Sequence, residues 1–132
     1  MRTKPTLTAD DVEKMMAACT AEAKKNNWKV SIAIVDDGGR LWQLHRLEGA
    51  GAVTAEVAVG KAKTAAMMGR PSKAMEDRIK ERPAFVLFPG ILPIQGGVPI
   101  LSGGECVGAI GVSGVQSHED EQVANAGVAA LG

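Results

Sequence analysis

The chain has 132 residues, and its fifteen basic and fifteen acidic side chains leave no formal net charge. Hydrophobic residues make up 45% and charged residues 23%, with 3% aromatics and no tyrosine, the composition of one soluble domain over residues 1–132 with an aliphatic and methionine core. Balanced charge gives no long-range pull on nucleic acid, no stretch approaches the ~20 apolar residues of a membrane span, and the opening MRTKPTLTADD lacks a signal peptide's apolar segment, so neither nucleic acid nor membrane is an expected partner and the cytoplasm is the expected location.

Thr8 followed by Asp11 has the spacing of a capping box. Val12, Met15, Met16, Cys19 and Ala23 then recur at helical spacing, which predicts a helix ending around Asn26 and Asn27. VSIAIVD, residues 30–36, has strand composition, DDGG can reverse the chain, and RLWQLHRL returns as a second strand. In that second strand Leu41, Gln43, His45 and Leu47 share one face, and Trp42, Leu44 and Arg46 share the other.

Residues 53–68, VTAEVAVGKAKTAAMM, read as a helix of small residues against which something can pack closely. Gly69 can cap it and Pro71 prevents its continuation. SKAMEDRIKE reads as a short polar helix. FPGILPIQGGVPI is too broken by proline and glycine for a helix and reads as loop and short strand. GVPILS and ECVGAIGVS make two more strands joined at SGGE. Ser117 with Asp120 opens a last helix, HEDEQVANAGVAAL. The order is α, β-β, α, short α, β-β-β, α: an α+β domain with a largely antiparallel sheet of five strands, with no internal repeat and no linker.

Cys19 and Cys106 lie far apart in apolar runs and read as small buried hydrophobes rather than a disulfide. No C-x-x-C-H occurs, so covalent haem attachment is not indicated. His45 has two readings: a half-buried histidine bonded to backbone, or an iron ligand or general acid-base group. His118, among Ser, Glu and Asp at a helix start, reads as solvated. Lys61 in an alanine-rich helix either snorkels to solvent or meets an anion. Arg70 suits the helix end electrostatically and can also grip a carboxylate. The glycines match neither a dinucleotide-binding fingerprint nor a phosphate loop, and GVSGV is not a nucleophile elbow.

Taken together, IAIVDDGGRLWQLHRLEGA, GKAKTAAMMGRPS, FPGILPIQGGVPI, GGECVGAIGVSG and EDEQVANAG resemble the GlcG/HbpS-like proteins, a family that includes the C-terminal domain of PduO-type proteins. The resemblance runs from about residue 8 to residue 131. Lys61, Thr64, Gly69, Arg70 and Pro71 match the helix motif; Gly96, Gly97 and Pro99 match the glycine-rich turn; Gly108, Gly111, Ser113 and Gly114 match the strand after it. The resemblance implies a five-stranded, profilin-like antiparallel sheet flanked by helices, and a homo-oligomer built from dimers up to octamers. It also implies non-covalent haem binding, with roles in haem degradation or redox sensing. On that reading His45 is the iron ligand or lies beside it, Arg46, Lys61 and Arg70 neutralise the propionates, and backbone at Gly96 and Gly97 admits the flat macrocycle. The first helix carries no histidine, where some haem-binding members have one. The alternative is an enzyme acting on a small organic acid or an unstable catabolic intermediate, with Arg46 and Arg70 holding a carboxylate and His45 or Glu48 moving a proton.

Overall fold

The computed structural model describes all of residues 1–132. Its elements are α1 (Ala9–Lys25), β1 (Ser31–Asp36), β2 (Leu41–Arg46), α2 (Val53–Met68), α3 (Ser72–Glu81), a 3₁₀ turn (Pro83–Leu87), β3 (Gly97–Ser102), β4 (Glu105–Ser113) and α4 (Ser117–Leu131). The four strands form one sheet in the order β2-β1-β4-β3, and every neighbouring pair is antiparallel.

Both helix starts are capped, one of them differently from the expectation. Thr8 and Asp11 exchange side-chain and backbone hydrogen bonds as the capping box at α1. At α4 the cap is Gln116 with Glu119, not Ser117 with Asp120; the Asp120 carboxylate instead turns inward and accepts from the Val115 amide. α1 ends where expected, in a Schellman motif. The Trp28 amide donates to Ala23 O and the Asn27 amide to Lys24 O, which satisfies two of the helix-end carbonyls. Asn27 takes the left-handed conformation this requires, with φ 58°.

The sheet divides the core. On one face Ile32, Ile34, Ile110 and Val112 pack with Val12, Met15, Cys19, Val123 and Ala124 of α1 and α4. On the other, Ala33, Val35 and Ala109 pack with Ala58, Ala62, Ala65 and Ala66 of α2. The second layer is built of small side chains, so α2 lies unusually close to the strands. Gly111 makes that approach possible: a methyl group there would collide with the Ala58 carbonyl and stand 2.5 Å from the Ala62 nitrogen.

The expected fifth strand is absent. Residues 88–95 pair with no neighbouring strand, and several of their backbone groups are bound by side chains; only at the end of the stretch does Gly96 O accept from the Val112 amide of β4. The Leu92 amide donates to Thr64 Oγ1, the Gln95 amide to Glu76 Oε1, and Ser72 Oγ to Ile94 O. Pro93 can donate nothing to a ladder. The segment is a loop lashed to α2 and α3, and the sheet ends at β3.

The close α2–β4 contact gives a direct test. Gly111→Ala should cost about 2 kcal/mol or more through overpacking, whereas Gly51→Ala, with nothing within 4 Å of the added carbon, should be near neutral. Urea midpoints of the two variants measure the difference.

Candidate functional site

β2 is an edge strand, and all six of its residues are exposed. His45 lies opposite Ile32, whose side chain belongs to the α1–α4 layer, and Arg46 lies opposite Ser31. Ser31 Oγ is hydrogen-bonded to Thr54 Oγ1 of α2 at 2.8 Å. His45 and Arg46 therefore face opposite sides of the sheet, as strand alternation requires.

His45 and Glu48 come together. They line a cleft of about 340 Å³ between the end of α1 and the end of β2, together with Lys24, Asn27, Trp28, Lys29 and Leu47. His45 Nδ1 lies 3.4 Å from Thr20 Oγ1 on α1, a long contact that orients the ring weakly. With Nδ1 turned to Thr20, Nε2 is the ring nitrogen left for another partner. Trp28 is half-buried and Leu47 buried, so the cleft has an apolar wall beside its charged groups.

The other expected site residues do not join them. Arg46 is exposed and its Nε donates to Ala50 O at 3.0 Å. Arg70 follows the left-handed Gly69 cap and is exposed. It borders a cavity of only about 30 Å³ with Met68, Pro71, Ala74, Met75 and Arg78, room for a water or two. Lys61 is only 2% exposed. Its ammonium donates to Asp120 Oδ2 and to Val112 O, both at 3.0 Å, so it holds the fold rather than a ligand's carboxylate.

Gly96 and Gly97 belong to that same buried site. A side chain at Gly96 would stand 2.8 Å from Lys61 Nζ and from Val112 O, and one at Gly97 would collide with the Lys61 carbonyl. Their small size serves the crossing of β3 over α2, not a flat macrocycle. The Gly97 amide donates to Ser72 Oγ, itself buried. Burial pushes the Asp120 carboxyl above its ordinary range, while Lys61 and the Val115 amide pull it back. A raised value in the folded state means that Asp120 ionisation works against the fold. The protonated carboxyl therefore favours the fold: its contribution is full below the ordinary carboxylate range and is lost as pH climbs through the folded value.

His118 is exposed on α4. Cys19 is buried, which pushes its thiol up to about 12, and Cys106 is half-buried with its sulfur near Ala66 O and Gly108 O. Neither thiol reads as reactive. No group of three or more His, Cys, Asp and Glu side chains gathers to hold a bare metal ion. No helix is long and apolar enough to cross a membrane.

Sequence reasoning missed Thr20, Lys24 and Lys29. All three lie on or just after α1, whose other face marks it as a core helix. Asn27, polar and able to turn left-handed at a helix end, was the available sign that the chain folds back there toward β2.

Comparison with known proteins adds the lineage. Residues 7–129 match the model of the family described as haem degrading protein HbpS-like. The chain is 42% identical to protein GlcG of Escherichia coli K12 over 114 residues, 86% of this chain and 85% of that one. A crystal structure of a doubly substituted HbpS from Streptomyces reticuli superposes with a TM-score of 0.94 at 34% identity, covering all of this chain and 91% of the other. The structure of a PduOC–haem complex shares the fold at 24% identity, with a TM-score of 0.87 over 96% of this chain and 95% of that one. The chain belongs to the HbpS-like family.

The buried pair is testable by replacement. Lys61→Met or Asp120→Asn alone should each destabilise by about 3–5 kcal/mol, because each strands a buried partner, and the double replacement Lys61→Met/Asp120→Leu should recover most of that loss. Denaturant unfolding of the three variants measures it.

Proposed function

We propose that this chain binds haem non-covalently in the cleft between α1 and β2, with His45 Nε2 as the protein donor to iron. The observation that carries the reading is the placing of His45, whose Nδ1 is turned to Thr20, in a cleft that also has an apolar wall of Trp28 and Leu47 and two lysines. The donor set suits haem better than a bare ion, because haem brings its own ring nitrogens to the iron and a single imidazole from the protein would suffice. About 340 Å³ lies at the small end of ligand sites, enough for one edge of a macrocycle and open to the rest.

Bound haem would supply a redox-active iron, the chemistry that haem degradation or redox sensing needs. The residues' own part is to hold one face and edge of the ring. His45 would supply the donor nitrogen, Thr20 would limit how the imidazole turns, and Trp28 would offer a flat apolar surface. The family match and the haem complex of a structural relative support the reading. An oligomer also suits the chain, since Leu41, Trp42 and Leu44 on β2 and Val86, Leu87 and Phe88 in the 3₁₀ region are exposed apolar side chains.

A second reading rests on Glu48 sharing the cleft with His45. In an enzyme for a small organic acid these two side chains would move the proton. Arg46 and Arg70, expected to hold the carboxylate, lie outside that cleft.

Haemin titration of the wild-type protein beside His45→Ala, followed by absorbance, tests the first reading. Saturable one-to-one uptake with a Soret band altered by the substitution is expected. Weak, unsaturating uptake that is identical in both proteins would overturn it.

A further inference from the structure

We propose that Lys24 and Lys29 form the carboxylate-binding side of the cleft, a part that none of Arg46, Lys61 and Arg70 is placed to play. The inference rests on the cleft being the ligand site. Its separate content is which residues meet the ligand's charge, and that the ligand carries carboxylate.

Lys24 and Lys29 flank the chain reversal at the end of α1. The reversal is rigid for a reason already on the backbone: the Schellman bonds to Ala23 and Lys24 and the left-handed Asn27 between them. A lysine in the last turn of a helix ordinarily serves the helix-end carbonyls. Here the Ala23 and Lys24 carbonyls already accept from Trp28 and Asn27, and the neighbouring Lys25 pairs with Glu22. Lys24 forms no ion pair, and the one polar contact of Lys29 Nζ is Asn27 Oδ1 at 3.5 Å. The Lys29 stem is laid down by Gly49: a side chain there would stand 3.3 Å from Lys29 Cγ and Cδ, and φ of +93° at Gly49 favours glycine on its own account. The Lys29 stem thus runs past Gly49 at the cleft wall while the residue stays exposed.

The charge balance of the cleft gives the ligand class. Two lysines line the cleft with a single carboxylate, that of Glu48. Mobile cations on an open wall recognise an anion without demanding planar bidentate geometry. The carboxylate has two sources, the propionates of haem or a small organic acid, and these share the same partners.

The test compares wild type with Lys24→Gln/Lys29→Gln, which keeps both stems, and with Lys14→Gln as a control on the same helix outside the cleft. Haemin and its dimethyl ester are the first two probes, read by absorbance. The double variant should bind haemin at least tenfold more weakly, and the ester should bind both proteins about as weakly as haemin binds the variant. Lys24→Arg/Lys29→Arg should retain haemin affinity, which separates lost charge from a disturbed fold. Equal haemin affinity in wild type and the Gln variant overturns the lysine assignment while leaving haem binding standing. If haemin binds neither protein saturably, the haem reading falls, and succinate becomes the deciding probe. A thermal shift by succinate in wild type that the Gln variant loses then supports the carboxylate site, and no shift in wild type overturns it.

Discussion

The ammonium of Lys61 has to be satisfied inside the protein, and much of the architecture follows from that. A buried cation without partners costs more than a domain of this size can spare. Its partners come from the end of β4, at Val112, and from the first turn of α4, at Asp120. α2 and α4 pack on opposite faces of the sheet, so the lysine joins the two layers through a single side chain. Gly96 and Gly97 are small because the chain must pass over that side chain and its carbonyl. The pair need not add net stability relative to an apolar replacement. What it does is specify where β3 crosses and where α4 begins.

That constraint also accounts for the motif residues that lie outside the cleft of His45 and Glu48. Lys61, Thr64, Ser72, Gly96 and Gly97 are knit together: Thr64 holds Leu92, Ser72 holds Ile94 and Gly97, and Lys61 holds Asp120. Reading this set from sequence, a lysine, a glycine pair and a following arginine look like an anion site. In the fold only the arginine is free, and it borders a space fit for a water or two.

The sequence carried the elements well because their signals are local. Helical spacing at Val12, Met15, Met16 and Cys19, the Gly69 cap and strand alternation at His45 and Arg46 each depend on neighbours in the chain, and each stands in the structure. The failures are of another kind. The extra strand in FPGILPIQ was expected from composition, but the partners of its amides are Thr64 and Glu76, 28 and 19 residues away. Asp120 looked like a cap, but its partner is Lys61, 59 residues away. His45 and Glu48 share a cleft because they are close in sequence, whereas Lys24 reaches it only through the turn at Asn27.

The ion pair and the cleft nevertheless lie at the same end of the sheet. The start of β1, the ends of β2 and β4 and the start of β3 all lie at one end of the sheet. Val112, held by Lys61, is two residues from Gly114, and a side chain at Gly114 would collide with the Lys29 carbonyl and stand 2.8 Å from Val30 Cα. Lys29 is the residue that guides the chain from the cleft into β1. Small residues therefore allow tight backbone contacts at the pair, and again at Gly114 beside the wall of the cleft. A family built this way can keep its buried frame unchanged and alter the few exposed side chains at the end of α1 and β2. A shared fold does not by itself fix the ligand.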